Sequence, residues 1–74
     1  MARLPRLSGR EVVRVFEFLG LEKVRQSSSH IILVREGHQA TLSVPDHKEV
    51  FVGTLRSLIR SAGLTVEAFT EAAG

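Results

Sequence analysis

Two stripes of apolar residues recur with helical spacing, one near each end of the chain. In the first stripe they follow the i, i+3, i+4, i+7 pattern of one helix face: Val12, Val15, Phe16 and Leu19. Ser8 and Glu11 precede the stripe with the spacing of a capping box, and Gly20 follows it as a C-terminal cap. The pattern predicts a first helix over about residues 8–19.

The second stripe repeats this spacing in the last third of the chain: Leu55, Leu58, Ile59 and Ala62. Gly53 and Thr54 begin the predicted helix, and Gly63 ends it. Thr65 then has the character of an N-cap, and Glu67 lies where the positive end of a helix dipole favours an acidic side chain. These residues predict a second helix followed by a short third one.

Three runs between the helices have the composition and alternation of β-strands: residues 22–26, 30–35 and 39–44. The second run is β-branched and apolar on both faces, which indicates a central strand. The third alternates strictly, as a strand with one solvated face does, and Pro45 ends it. Turns are predicted at the serines of residues 27–29 and at residues 36–38.

The predicted order is α-β-β-β-α with a terminal helical turn, so the fold class is α+β. Two amphipathic helices beside a three-stranded antiparallel sheet are expected to cover the same face of the sheet. The other face then stays open, and an open face on so small a protein is a candidate binding surface. The 74 residues are expected to form a single domain, 1–74, with its core at about residues 7–70.

The composition excludes several kinds of site. The chain has no cysteine, so disulfides, thiolate metal sites and thiol nucleophiles are ruled out. With four Phe and no Trp or Tyr, a surface that stacks single-stranded bases on several aromatic rings is not expected. No apolar run approaches the roughly 20 residues of a membrane span, and the basic N-terminus lacks the hydrophobic segment of a signal peptide. The expected location is the cytoplasm.

Basic residues are unevenly distributed along the chain. The formal net charge is only +2, from 10 basic and 8 acidic side chains. Most of the basic residues are Arg, whose guanidinium binds phosphate in a bidentate fashion. They are concentrated in the first half of the sequence, whereas the second half is net acidic. One part of the surface is therefore expected to face an anion.

Five short motifs occur at matching places along the chain: Leu4-Pro5, Ser8-Gly9-Arg10-Glu11, Ser29-His30, Val44-Pro45-Asp46-His47 and the Gly-Thr-Leu-Arg helix of residues 53–64. Together they resemble the HicA (YcfA-like) family of mRNA interferase toxins, and the resemblance covers about residues 3–69. The helix motif is quite specific. One departure is Ser28, where the family usually has a glycine, a residue with greater backbone freedom.

This resemblance implies a fold like the double-stranded-RNA-binding domain. It also implies metal-independent cleavage of RNA without a cofactor, with His30 as the catalytic residue. The expected partners are mRNA and a HicB-type antitoxin protein that blocks the toxin.

The chemistry of RNA cleavage independently favours a histidine. RNA carries its own nucleophile, the 2′-hydroxyl, and cleavage needs a base to take that proton and an acid to protonate the leaving 5′-oxygen. A histidine, whose ordinary pKa is about 6.5, can do either at neutral pH. The alternative for His30 is a histidine that begins a strand and hydrogen-bonds a neighbouring carbonyl.

Five residues are candidates for contact with RNA: Ser29, Lys48, Arg56, Arg60 and Arg25. Arg56 and Arg60 repel each other at i, i+4 on the second helix, and they either bind phosphate or form a solvated face. Lys48 lies in the loop after the third strand. Arg25 and Lys23 alternate along the first strand, where charges at a sheet edge also prevent aggregation.

The remaining arginines are assigned simpler roles. Arg10 and Arg14 are expected to form salt bridges with glutamates on their own helix. Arg3 and Arg6 form a basic N-terminal arm that either contacts a phosphate backbone or is disordered.

The other two histidines do not indicate a metal site, because the three histidines lack the clustered spacing of metal ligands. His38 is expected to be a solvated residue of a hairpin turn. His47 is either an exposed loop residue, the favoured interpretation, or a second catalytic or phosphate-contacting group.

The sequence therefore predicts a toxin of a type II toxin–antitoxin pair that cleaves mRNA and contacts neither membrane nor metal. The alternative is a non-catalytic RNA-binding module of the same fold, which would tolerate the loss of His30. A protein-interaction domain is a third hypothesis, favoured if no RNA binds at low salt.

Overall fold

The computed structural model describes residues 4–74 of the chain, apart from the side chains of residues 38–40. It contains three helices and three strands in an α-β-β-β-α-α order: α1 (Gly9–Phe18), β1 (Leu21–Gln26), β2 (His30–Arg35), β3 (His38–Pro45), α2 (Val52–Ser61) and α3 (Val66–Ala73). The predicted α+β class, the element order and the short C-terminal helix are confirmed. None of the helices in this part of the chain is long and apolar enough to cross a membrane.

The predicted capping box begins α1. The backbone N–H of Glu11 donates to Ser8 Oγ at 3.2 Å, and the backbone N–H of Ser8 donates to Glu11 Oε1 at 2.9 Å. Gly20 ends the helical segment with a φ of 103°, a conformation that favours glycine. Because the chain reverses there, β1 begins at the next residue and lies beside the helix.

The sheet is antiparallel with the order β1-β2-β3, so β2 is the central strand, as predicted. Alternate residues of β2 and β3 are buried beneath the helices: Ile31, Leu33, Leu42 and Val44. The intervening residues lie on the opposite face, which no helix covers: His30, Ile32, Val34, Thr41, Ser43 and Pro45. The sheet thus has one packed face and one open face.

Because of a β-bulge in β1, Lys23 and Arg25 lie on opposite faces of the sheet although they are two residues apart. Lys23 pairs with the buried Leu33 and lies on the helix-covered side, whereas Arg25 pairs with Ile32 and lies on the open side. An uninterrupted strand would place both on one face, but the extra residue Val24 reverses the alternation. Simple alternation along the sequence therefore does not describe this strand.

The boundaries differ from the prediction by one residue at several places, including the hairpin turn and the start of α2. The hairpin turn comprises only residues 36–37, with Gly37 at a φ of 77°, so His38 begins β3 rather than lying in the turn. Pairing of Arg35 with His38 extends the ladder to the turn. Helix α2 begins at Val52, one residue before the predicted start, with Phe51 as an N-cap that makes no side-chain hydrogen bond.

The C-terminal helix closes the core through an aromatic pair. The rings of Phe16 in α1 and Phe69 in α3 have centroids 5.1 Å apart and are inclined at 59°. Both side chains are fully buried. Although α3 is the last element of the chain, it is an integral part of the core.

Candidate active site

His30 lies at the first position of β2, exposed at one end of the open sheet face. The serine turn before it fixes its backbone. Ser27 N–H donates to the His30 carbonyl at 2.9 Å, and His30 N–H donates to Ser27 Oγ at 3.2 Å. Ser27 Oγ also donates to the His30 carbonyl at 3.2 Å. Both backbone polar groups of His30 are therefore satisfied within four residues.

The imidazole of His30 is oriented by the serine that precedes it. Ser29 Oγ lies 3.0 Å from His30 Nδ1. If Nδ1–H donates to the hydroxyl, the neutral ring has a free lone pair on Nε2 and can act as a base. The imidazolium form, protonated on both nitrogens, can act as an acid through Nε2–H. In the described part of the chain, Nε2 makes no hydrogen bond, and no carbonyl accepts one from this ring. In the alternative role, His30 begins a strand and hydrogen-bonds a neighbouring carbonyl. The structure places its ring beside the Ser29 hydroxyl instead.

Asp46 connects this turn to two other elements. Its backbone N–H donates to the Ser29 carbonyl at 2.9 Å. Its carboxylate accepts from Gln26 Nε2 at 3.4 Å and forms an ion pair with Arg10 Nε at 3.5 Å. Asp46 thus contacts the ends of β1 and α1 as well as the turn. Sequence analysis missed this role, because these partners are far away along the chain and no short motif records them.

Gly9 allows the start of α1 to approach the same end of the sheet. Its N–H donates to the His47 carbonyl at 2.9 Å, and a Cβ at this position would overlap the Pro45 carbonyl oxygen. Glycine is therefore required by close packing, since this residue does not have a positive φ. The contact places Arg10 beside Asp46.

The structure brings three of the five predicted RNA contacts to this end of the sheet or to its open face. Ser29 touches the imidazole, and Arg25 faces the same side of the sheet as His30. Lys48 lines an open cleft of about 300 Å³ with four neighbours: Ser8, Arg10, Asp46 and His47. His47 itself is exposed, in agreement with the favoured interpretation.

Arg56 and Arg60 are placed differently. Both are exposed on α2, outside its buried stripe of Leu55, Leu58 and Ile59. No hydrogen bond or ion pair among the described residues connects either arginine to the His30 end of the sheet. The repulsion between them is thus unrelieved by an acidic partner in this part of the protein.

The salt bridges expected on α1 are wrong. Glu11 turns back to cap the helix, and hydrogen bonding from the backbone N–H and side chain of Ser8 lowers the pKa of its carboxyl below the ordinary value of 4.5. Arg10 pairs with Asp46 of the β3–α2 loop instead of a helical glutamate. Arg14 has no ion-pair partner among the described residues. Glu11 and Arg10 thus make a cap and a tertiary contact in place of helical salt bridges, although the charge of Arg14 also contributes to lowering the pKa of Glu11.

Two expectations fall outside the described residues: the position of Arg3 and the environment of the His38 side chain. Within residues 4–74, apart from the side chains of residues 38–40, no group of three or more His, Asp or Glu is arranged to hold a metal ion.

The α-β-β-β-α order, with helices on one face of a three-stranded antiparallel sheet, defines an α+β fold of the double-stranded-RNA-binding-domain type. The family model described as the HicA toxin of bacterial toxin-antitoxin matches residues 9–64 of the chain. The protein therefore belongs to the HicA toxin family, and is a toxin of a toxin–antitoxin system with a cognate antitoxin as partner. No curated protein and no solved structure gives a significant match.

Proposed function

We propose that this toxin is an mRNA interferase, a metal-independent endoribonuclease of the cytoplasm that arrests translation by cleaving mRNA. The observation that carries the proposal is the geometry of His30: its Nδ1 lies 3.0 Å from Ser29 Oγ, while the imidazole is exposed at the end of the open sheet face. This arrangement leaves Nε2 available to an RNA backbone that approaches from solvent.

In the proposed reaction the 2′-hydroxyl attacks the adjacent phosphorus and the bond to the 5′-oxygen breaks. One proton leaves the 2′-hydroxyl and one is delivered to the 5′-oxygen, so the products are a 2′,3′-cyclic phosphate and a 5′-hydroxyl. His30 performs one of these transfers through Nε2, as a base when the ring is neutral or as an acid when it is the imidazolium. Ser29 holds the ring in the required orientation.

Negative charge that develops on the phosphate requires nearby cations. Arg25 shares the open face with His30, and Lys48 lies in the cleft beside Asp46. We assign these two residues to the RNA-binding surface together with Ser29. Arg56 and Arg60 form a second, separate pair on α2 that is proposed to contact phosphates farther along the RNA.

The cognate antitoxin is proposed to be HicB-type and to cover the open sheet face. Ile32 and Val34 on this face are only half-buried, so a partner protein can bury more of their apolar surface. Covering the face would also prevent RNA from reaching His30, which accounts for neutralisation by simple occlusion.

The decisive variant is His30→Ala. We expect inducible expression of the native chain to arrest growth and of this variant to leave growth unchanged. The purified native protein should cleave mRNA fully in the presence of a chelator, with cleavage reduced by about two orders of magnitude or more in the variant.

His47→Ala is the matched control, because it removes another exposed histidine near the same end of the sheet. This variant should retain cleavage. Growth arrest that survives His30→Ala, or strict dependence of cleavage on added Mg²⁺, would contradict the proposal. Retained RNA binding without cleavage by the native protein would instead favour the non-catalytic binding module.

A further inference from the structure

We propose that the cleft between α1 and β1 binds the phosphate backbone of RNA on one side of the cleavage position. The inference rests on the proposed function only in taking RNA as the ligand. The cleft is open to solvent, has a volume of about 350 Å³, and is lined by seven residues: Arg10, Val13, Arg14, Glu17, Lys23, Gln26 and Ile31.

Three of these residues are cationic and one is acidic, so the lining carries an excess of positive charge. Arg14 and Lys23 form no ion pair with any residue that the structure describes. Among the described residues Arg10 forms one ion pair, 3.5 Å to Asp46, and its side chain remains 76% exposed. Arg10 and Arg14 repel each other at i, i+4 on the helix, and a bound anion would relieve that repulsion.

The cleft is connected to the turn that carries His30. Gln26, at the end of β1, lines the cleft and donates to Asp46, whose backbone N–H binds the Ser29 carbonyl. Arg10 lines both this cleft and the neighbouring one that contains Lys48. Four cations therefore line the two clefts, which share Arg10, and we call this set the cationic track: Lys48, Arg10, Arg14 and Lys23.

The bulge in β1 places Arg25 apart from the track. Lys23 lies on the helix side of the sheet edge, two residues after the buried Leu21, whereas Arg25 follows the bulge and faces the open side. A strand of RNA whose scissile phosphate lies at His30 can thus meet cations on both sides of the same edge strand.

The lining favours the phosphate backbone over the bases. Guanidinium groups bind phosphate oxygens in a bidentate fashion. Val13 and Ile31 are buried, and no aromatic side chain among the lining residues offers a surface on which a base could stack. Binding in the cleft should therefore depend strongly on salt and weakly on RNA sequence.

The test measures binding of a short 2′-O-methyl RNA oligonucleotide by fluorescence anisotropy at several salt concentrations. This probe lacks the 2′-hydroxyl nucleophile, so binding is read independently of cleavage. The variant is Arg14→Gln/Lys23→Gln, which breaks no ion pair with a described residue. We expect affinity at about 50 mM salt to fall by on the order of ten-fold. The slope of log affinity against log salt concentration should decrease in magnitude by about 0.7 for each lost phosphate contact.

A charge-restored variant separates the cleft from overall charge. Adding Glu67→Gln/Glu71→Gln on α3 returns the net charge of the double variant to the native +2. This quadruple variant should bind as weakly as the double variant, and Arg14→Lys/Lys23→Arg should bind like the native chain. Equal melting temperatures would show that all the variants fold.

Native affinity in the charge-restored variant, or no binding by the native chain at low salt, would overturn the inference. So would a double variant that binds the oligonucleotide normally but loses affinity for the antitoxin, since the cleft would then be a protein interface. A native chain that binds the probe through these residues yet never cleaves RNA would refute the nuclease proposal and leave the cleft assignment intact. Normal cleavage with an unchanged KM in the double variant would refute the cleft assignment and leave the nuclease proposal intact.

Discussion

At the scale of single residues, two residues hold the turn that carries His30: Ser29 through the imidazole, and Asp46 through a backbone hydrogen bond to the Ser29 carbonyl. Ser29 is adjacent in sequence and touches the ring directly. Asp46 directly follows β3, and its side chain is only 19% exposed, so its contacts with Gln26 and Arg10 are partly shielded from solvent. The sequence predicts Ser29 only as an RNA contact, so the contacts of both residues required the folded structure.

Ser28 is the residue at which this chain departs from the usual family motif. Glycine there would permit a positive φ, but no non-glycine residue in the described part of the chain has a positive φ. The backbone at Ser28 therefore has an ordinary conformation that a serine adopts without strain.

We accordingly predict that Ser28→Gly lowers the free energy of unfolding by roughly 0.5–1 kcal/mol, because glycine gains conformational entropy in the unfolded chain. RNA cleavage should remain within about two-fold of native, since any gain from backbone freedom is small. Urea unfolding and a cleavage assay measure the two effects, and Ser28→Ala controls for the lost hydroxyl. A ten-fold gain in cleavage would show that the turn needs the flexibility of glycine.

At the scale of elements, α1 is stabilised at its N-terminus by a glutamate that does not form helical salt bridges. Because the folded pKa of Glu11 lies below its ordinary value, the ionised carboxylate stabilises the folded state. That contribution is fully present above the ordinary glutamate pKa and is lost as the pH falls through the lowered folded pKa.

We predict that the stability difference between the native chain and Glu11→Gln shrinks as the pH falls from about 6 to about 3. Glutamine retains the hydrogen-bonding shape of a capping box, so the comparison isolates the charge. Denaturant unfolding across this pH range measures the difference, with Glu17→Gln as the control elsewhere on α1. A difference that stays constant down to pH 3 would contradict the assignment of the lowered pKa to the cap.

Helix α3 lies beyond the residues that the family model matches, yet its Phe69 is fully buried against Phe16. We predict that Phe69→Ala lowers the free energy of unfolding by about 3–5 kcal/mol through the cavity it creates. A small domain has few other core contacts to compensate, so this variant should be largely unfolded at elevated temperature.

Phe69→Leu, which keeps most of the volume, should cost about 1.5 kcal/mol or less. Thermal and urea unfolding of the two variants provide the measurement. If Phe69→Ala were as stable as the native chain, α3 would be an appendage rather than part of the core.

The helices and strands show what the sequence pattern can and cannot predict. The capping box, the Gly20 and Gly63 caps and the position of β2 were correct because each follows from residues close together in sequence. The separation of Lys23 from Arg25 was not predictable, because the bulge between them depends on pairing with β2. Elements follow from local pattern, whereas their irregularities follow from tertiary contacts.

At the scale of the whole molecule, the net charge is only +2, but the exposed cations and the apolar core lie on different parts of the fold. The helices bury one sheet face, leave His30 exposed on the other, and place the cationic track along the adjacent edge. The catalytic role of His30 stays a prediction from the sequence, whereas the predicted helical salt bridges of Arg10 and Arg14 are wrong. Only the docking of α1 against the end of β3 shows that these arginines line a cleft.

The central claim is that the toxin cleaves RNA through the 2′-hydroxyl, with His30 as acid or base. The most direct measurement compares an RNA substrate with the same RNA carrying a single 2′-deoxy nucleotide at the mapped cleavage position, both assayed in chelator. We predict a 2′,3′-cyclic phosphate and a 5′-hydroxyl from the first substrate and no cleavage at the modified linkage of the second. Cleavage that persists at the 2′-deoxy linkage would contradict the account.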